Sequence, residues 1–357
     1  MKVLLITQTL KAQSGLGRYS KGVRDALIGQ GVQVSVMCEE GEVFLSAERS
    51  IFQFLRNCFA ARRAARNTSI VHALDVWPYG VYALCAVLGT RKSLFLGGVG
   101  TYSMPPQVFS LKRFLMLRAY RRASAVFCIS HYTKKRILRR LPFMAKLAVV
   151  HLAADPLPVS FENARKHFSI PENASPILIS VGEVKERKGQ LDTLHGIAPL
   201  VKRYRSLRYL IVGSLADREY VAQIEQEAVR LGLADHVQFI DSATSDFELA
   251  ALYSLSDVLF LNSNNHGDHF EGFGLVFLEA NQFGVPGIGS RGCGIEDAIR
   301  ENVSGLLVPQ KDHAAIAEAT EKILSQKERF AQGARDWYTR FGWRKTIDSY
   351  LRFYTSQ

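Results

Sequence analysis

Ile177-Leu178-Ile179-Ser180-Val181 opens a second round of a pattern that the chain has already run through once. The run is apolar, mostly β-branched, too short for a helix and closed by Gly182, so it reads as a buried strand. Downstream, similar runs recur at 208–213, 236–240, 257–262, 285–289 and 304–308, with longer segments of helical periodicity between them. Upstream, the same alternation occupies 2–7, 32–37, 69–73, 93–97 and 124–129. Strand–helix alternation of this kind implies parallel sheets, and the polar stretch after Pro156 and Pro158 separates two rounds of it. The expectation is an α/β chain of two Rossmann-like, doubly wound domains, 1–155 and 173–340, joined by a linker at 156–172. Residues 341–357 follow the last strand. Trp343, Ile347, Tyr350, Leu351 and Tyr354 lie there at helical spacing, and this helix needs a surface for its apolar face, expected on the first domain.

A length of 357 residues exceeds what one core usually spans, and 47% apolar residues suffice for two. No stretch reaches the about 18 uninterrupted apolar residues of a membrane span, and residues 1–6 are too short for a signal segment. The five cysteines are scattered, with no Cys-x-x-Cys, which fits a reducing cytoplasm. Residues 1–150 hold 23 Lys and Arg against 6 Asp and Glu, a net +17, so the remainder of this +12 chain carries −5. Such asymmetry points to a polyanionic partner for the first half, or else to solvated helix faces.

Glu271-Gly272-Phe273-Gly274-Leu275-Val276-Phe277-Leu278-Glu279-Ala280 carries the strongest chemical signal. Two glycines at a helix start let backbone N–H groups approach an anion, and the helix dipole favours a phosphate there. If the helix begins at Glu271, the two carboxylates lie slightly more than two turns apart and project towards one side. Glu279 then suits a ribose diol and Glu271 a sugar hydroxyl. The plainer alternative makes Glu271 a helix-end charge and Glu279 a surface residue.

This segment resembles the Glu, seven residues, Glu signature of the retaining GT-B glycosyltransferases of family four, most of all the phosphatidylinositol mannoside mannosyltransferase subgroup. The resemblance continues through Asn281 to Pro286 and Ser304 to Val308. Asp257-Val258, Gly15-Leu16-Gly17-Arg18-Tyr19 and Phe341-Gly342-Trp343 have counterparts in the same order. It implies the GT-B fold, two domains facing a cleft, with an acceptor-binding first domain and a nucleotide-sugar-binding second one. It also implies roles. Glu279 binds the ribose, Glu271 contacts the transferred sugar, and the backbone of Phe273, Gly274 and Leu275 meets the sugar and the distal phosphate. A second family motif, Val181 to Gly189, puts Lys188 on the diphosphate, where a cation stabilises the leaving group. Many relatives carry Arg where this chain has Glu183, a carboxylate that cannot bind diphosphate. Arg187 is then the candidate second cation, the alternative being an exposed arginine.

In the first domain, Gly17 lies in the turn after the first strand, where a missing Cβ permits close approach to a phosphate or sugar. Neither G-x-G-x-x-G nor a P-loop is present, which counts against NAD and P-loop nucleotides. Val99, in Gly97-Gly98-Val99-Gly100-Thr101, replaces a histidine of many relatives with a side chain that cannot hydrogen-bond; Ser130-His131 resembles a further family position. His266, Asp268 and His269 precede Glu271, but no further cluster completes a metal site, so no metal and no other cofactor are expected, and 262–269 reads as a mobile rim loop. Arg113, Arg121 and Arg122, and Lys134, Lys135, Arg139 and Arg140, lie on predicted helices with interleaved apolar residues, as does Arg62-Arg63-Ala64-Ala65-Arg66. Basic amphipathic helices suit an anionic membrane or a lipid-linked acceptor.

The reading is therefore a hexosyltransferase that retains configuration. It uses GDP-mannose before UDP-hexoses, on a glycan or lipid-linked acceptor of cell-envelope polysaccharide or glycolipid synthesis. It would be cytoplasmic and peripheral on the inner face of the plasma membrane. Two alternatives stay open: a GT-B nucleotide-sugar epimerase, and a non-enzymatic nucleic-acid- or membrane-binding protein. No nucleic-acid module is present, so no nucleic-acid partner is expected.

Overall fold

The computed structural model describes residues 1–11, 14–46, 50–158, 163–241 and 245–356. The chain divides into two compact units: Met1–Asp155 with Phe341–Gln357, and Pro156–Arg340.

In the first unit, strands β1 (Lys2–Ile6), β2 (Gln33–Cys38), β3 (Val43–Phe44), β4 (Ile70–Ala73), β5 (Ser93–Gly98), β6 (Ala125–Cys128) and β7 (Leu147–Val149) form one parallel sheet, ordered β3-β2-β1-β4-β5-β6-β7. In the second, β8 (Ile177–Val181), β9 (Arg208–Gly213), β10 (Val237–Asp241), β11 (Val258–Leu261), β12 (Gly287–Ser290) and β13 (Gly305–Val308) form a parallel sheet ordered β10-β9-β8-β11-β12-β13. Helices on both faces explain why the strands read as unbroken apolar runs: Leu4, Leu5, Leu178 and Ile179 are fully buried. Two Rossmann-like α/β units are what the strand rhythm predicts. The short edge strands β3 and β7 escape it, because two or three residues carry no period.

Serine and aspartate set the helix starts. Ser14, Ser50, Ser110 and Ser130 in the first unit and Asp217, Ser245 and Asp312 in the second each accept a backbone N–H in the first turn. Of the stretch read as a linker, Leu157 exchanges two hydrogen bonds with the Gln282 side chain at 2.8 and 2.7 Å, and Ala164 and Phe168 are buried. Residues 159–162 lie outside the described residues.

The last helix, Trp343–Thr355, belongs to the first unit. Trp343 packs on Gly22, where a Cβ would stand 1.8 Å from the indole ring. Tyr350 meets the Tyr19 hydroxyl at 2.9 Å, and the Tyr354 hydroxyl lies 2.7 Å from His72 Nδ1. Its apolar face thus covers Phe95 and Phe127, whose rings lie 4.8 Å from Tyr354 and 4.6 Å from Tyr350. Among the described residues no helix is long and apolar enough to cross a membrane.

Candidate functional site

In the second sheet the chain order reverses between β8 and β11, which pair directly. At such a switch point the loops leaving the two strands part to opposite faces, and a crevice opens at their carboxyl ends. The loop after β8 carries Arg187 and Lys188 in a 3-10 turn, Glu186–Lys188; the loop after β11 carries Glu271.

The two loops are fitted together by backbone. Gly189 adopts φ +72°, and a Cβ there would stand 2.0 Å from the Asn262 carbonyl oxygen, so only glycine permits this approach. Asn264 N–H donates to the Arg187 carbonyl at 2.8 Å, and its side-chain amide donates to Asp192 at 2.6 Å. Asn262 donates to the Thr193 hydroxyl at 2.9 Å. Residues 262–264 are thus buried and tied down, which corrects the expectation of a mobile loop there. Only the tip, where His266 and His269 pair across Gly267, projects into solvent.

That fitting brings three charges to one point. Lys188 Nζ lies 2.7 Å and Arg187 Nη1 3.2 Å from the same oxygen, Glu271 Oε2, and all three side chains are more than three-quarters buried. Burial by itself would raise the Glu271 carboxyl. The charges of Lys188 and Arg187, with their hydrogen bonds, outweigh it and hold the group down at about 2, from an ordinary 4.5. Arg187 is therefore drawn into the cluster, and the exposed-arginine alternative fails. Glu183, in contrast, is exposed and pairs with Lys185.

Because the folded carboxyl titrates below its unfolded value, the stabilisation is complete above about pH 4.5 and is lost as pH falls towards 2. The whole effect amounts to about 3 kcal/mol, of which about 2 is gone by pH 3. Denaturation of the parent and Glu271→Gln between pH 6 and pH 3 should show the parent's advantage shrinking by that amount. A constant gap would contradict the depressed carboxyl.

Glu271 is not on the helix, which corrects the two-turn reading. The helix spans Leu275–Gln282 and starts after Gly274, whose φ is +88°, so helical pitch does not relate Glu271 to Glu279. Residues 271–274 pass close to Gly294: its N–H donates to the Glu271 carbonyl at 2.8 Å, and a Cβ there would stand 1.9 Å from the Gly272 oxygen. Phe273 is buried, so the segment offers its backbone, with Leu275 beginning the helix. Glu279 is 4% exposed and accepts from the Tyr253 hydroxyl at 3.0 Å, which excludes the surface-residue alternative. Tyr253 is missed from sequence, since nothing in the apolar helix around it marks its hydroxyl.

The first unit holds its own candidates. A Cβ on Gly17 would meet the Lys11 carbonyl at 1.8 Å, so the loop's own backbone, rather than an open approach, demands this glycine. Near Val99, Asp75 goes unnoticed in sequence although it is one of only six acids in the first 150 residues. Its Oδ1 accepts from Val76 N–H at 2.6 Å and from the Ser103 hydroxyl at 2.8 Å, whose oxygen in turn accepts from Val99 N–H at 2.9 Å. Burial pushes the Asp75 carboxyl up to about 7, against the opposing Val76 and Ser103 bonds and the Lys112 charge. It anchors the turn after β5.

The basic residues divide. Arg113 donates to the Pro106 carbonyl, Arg122 to those of Thr90 and Lys92 at 3.3 and 2.7 Å, and Arg140 to that of Pro105 at 3.0 Å. These three brace the fold through part of each guanidinium. Arg121 lies over the Phe143 ring at 5.3 Å. Lys134, Lys135 and Arg139 line a shallow cavity of about 530 Å³ together with His131 and Leu138.

Residues 13–156 match the profile of Glycosyltransferase Family 4, and residues 161–337 that of Glycosyl transferases group 1. A D-inositol 3-phosphate glycosyltransferase of Geodermatophilus obscurus is 33% identical over 199 residues, 54% of this chain and 43% of its own length. A GDP-mannose-dependent alpha-(1-6)-phosphatidylinositol monomannoside mannosyltransferase of Mycobacterium tuberculosis is 28% identical over 283 residues, 75% of this chain and 72% of the relative. The match thus spans less than half of the first of these relatives. Among solved structures, a glycosyltransferase from Rickettsia africae superimposes with a TM-score of 0.83 at 18% identity, covering 99% of this chain and 98% of its own. Anabaena HepE in complex with UDP-glucose does so at 0.80 and 17%, covering 100% of both chains. At such identities the likeness is one of fold.

Proposed function

Because the chain belongs to the family-four glycosyltransferases, with two Rossmann-like units of the GT-B type, we propose that it transfers a hexose from a nucleotide diphosphate sugar, GDP-mannose before UDP-hexoses, with retained anomeric configuration. The observation that carries this reading is the Lys188, Arg187 and Glu271 cluster at the switch point of the second sheet. Two cations there, balanced by one carboxylate, leave a net positive charge in a crevice of reduced dielectric, suited to a diphosphate.

In the proposed reaction an acceptor hydroxyl attacks the anomeric carbon on the face the diphosphate leaves. The bond from that carbon to the phosphate oxygen breaks, and the departing oxygen takes the acceptor proton. Lys188 and Arg187 stabilise the charge that develops on the leaving group. Glu271 holds both cations in position until the phosphates take its place, and then meets a hydroxyl of the sugar. Glu279 binds the ribose, and the Phe273, Gly274 and Leu275 backbone meets the sugar and distal phosphate. This chemistry needs no metal, because side-chain cations do the neutralising.

Thermal unfolding with GDP, UDP and ADP, followed by transfer assays with the matching sugar nucleotides, tests the reading. GDP should raise the midpoint most, since a ligand at 100 times its Kd adds about 2.7 kcal/mol. If no nucleoside diphosphate protects the protein, the donor site is misassigned.

For the acceptor we propose a lipid-linked molecule at an anionic, cytoplasm-facing membrane. Support comes from the cavity lined by Lys134, Lys135 and Arg139 and from exposed apolar residues on the same unit, Val108, Phe109 and Leu111 among them. The helix Ile51–Ala64 adds a second such face, exposing Ile51, Phe52, Leu55 and Phe59 beside Arg56, Arg62 and Arg63. At about 1 kcal/mol per basic residue reaching the surface, neutralising Lys134, Lys135 and Arg139 together should weaken binding to anionic vesicles by about tenfold or more. Unchanged sedimentation with such vesicles at physiological salt would point to a soluble phosphorylated acceptor.

A further inference from the structure

Cys58 and Cys85 stand 27 residues apart in the chain, yet their Sγ atoms are 2.9 Å apart. Cys58 lies on the helix Ile51–Ala64 and Cys85 on the helix Tyr79–Val87. These helices are registered along their length. The Phe54 and Tyr82 ring centroids are 5.2 Å apart, Asn57 donates to the Tyr82 hydroxyl at 3.3 Å, and Arg62 donates to the carbonyls of Cys85 and Leu88 at 3.3 and 2.8 Å. The thiols are thus held face to face by contacts on both sides of them. Both are half-buried, whereas Cys38, Cys128 and Cys293 are buried.

We propose that Cys58 and Cys85 form a thiol–disulfide exchange site that accepts a low-molecular-weight disulfide and closes into an intrachain disulfide. The geometry already supplies what the bond needs, since closing from contact to the about 2.05 Å of an S–S bond takes under about 1 Å of motion. The two sulfurs are unequal. The contact with Cys58 and the charge of Arg62, whose guanidinium donates to the Cys85 carbonyl at 3.3 Å, draw the Cys85 thiol below its ordinary range, while Cys58 is pushed up by the same contact and by burial. Cys85 is therefore the first nucleophile.

The exchange balances in two steps. The Cys85 thiolate attacks one sulfur of the small disulfide, forming a mixed disulfide and releasing one small thiolate. Cys58 then gives up its proton and attacks the Cys85 sulfur, displacing the second small thiolate. Two protein thiols are oxidised and one small disulfide is reduced to two thiols. The product ties the helix bearing the exposed Ile51, Phe52, Leu55 and Phe59 face to the helix beneath it.

The test treats the folded, full-length protein with oxidised glutathione at neutral pH and reads intact mass and peptide map. The parent should lose two hydrogens, retain no glutathione, yield one peptide pair linked through Cys58 and Cys85, and keep its other three thiols. Cys58→Ser should instead hold one glutathione on Cys85, because the resolving sulfur is gone; Cys85→Ser should stay unmodified at Cys58. Oxidation should also raise the parent's thermal midpoint, since a closed loop restricts the unfolded chain. Stable glutathionylation of the parent, equal adducts on both single variants, or a lowered midpoint on oxidation would each overturn the proposal.

Discussion

Lys188→Ala should lower the rate of sugar transfer by about 10² to 10³ while leaving the protein folded, the cost of deleting one preorganised electrostatic donor. Lys188 is 2.7 Å from Glu271 and its side chain is only 16% exposed, so its ammonium is fixed before any ligand arrives. A charge fixed in advance costs no reorganisation as the diphosphate departs. Removing it leaves Glu271 with Arg187 as partner, so the carboxylate is not stranded and the loss of stability should be modest. Steady-state kinetics at saturating donor, beside a thermal melt, would separate the effects. Transfer at the parent's rate would take Lys188 out of the site.

Gly294→Ala should fail in a different way, losing stability and activity together. An added Cβ would sit 1.9 Å from the Gly272 oxygen, 2.2 Å from its carbon and 2.8 Å from the Glu271 oxygen, all backbone atoms. Backbone yields less readily than the end of a side chain, so the 271–274 segment must move. Overpacking of this kind costs about 1–3 kcal/mol or more. The shift also carries Glu271 away from Lys188 and Arg187, so the variant should lose the acid-dependent part of the parent's stability. Gly15→Ala is the control: a Cβ there meets nothing within 4 Å, and the parent's melt and rate should be kept. If Gly294→Ala behaves like Gly15→Ala, the loop around Glu271 is softer than its contacts imply.

Both predictions act on one cluster, and they show which parts of it the sequence already carried. Glu271 and Glu279 could be picked out from their residue types at a glycine-rich helix start, and Lys188 and Arg187 from the resemblance of Val181 to Gly189 to a family motif. The strand rhythm was readable because alternation between buried runs and helical periods is written by neighbours in the chain, and β8 and β11 announce themselves in five and four residues. What these residues do to one another was not readable. Arg187 and Lys188 lie 84 and 83 positions from Glu271, and their sharing one oxygen depends on Gly189 admitting the Asn262 backbone and Gly294 admitting that of Gly272.

The same limit governed the rest of the chain. Sequence counted the +17 charge of the first 150 residues, but only the folded unit shows Arg113, Arg122 and Arg140 satisfying its own carbonyls while Lys134, Lys135 and Arg139 line a cavity. It showed five scattered cysteines, and helix packing set two of them at 2.9 Å. It placed Glu271 at a helix start, whereas the left-handed Gly274 delays the helix and leaves Glu271 in the loop. Local periodicity and composition are fixed by backbone stereochemistry and solvent, so the sequence determined the two parallel α/β units. Contacts between residues distant in the chain depend on how whole elements pack, and these only the tertiary structure decided.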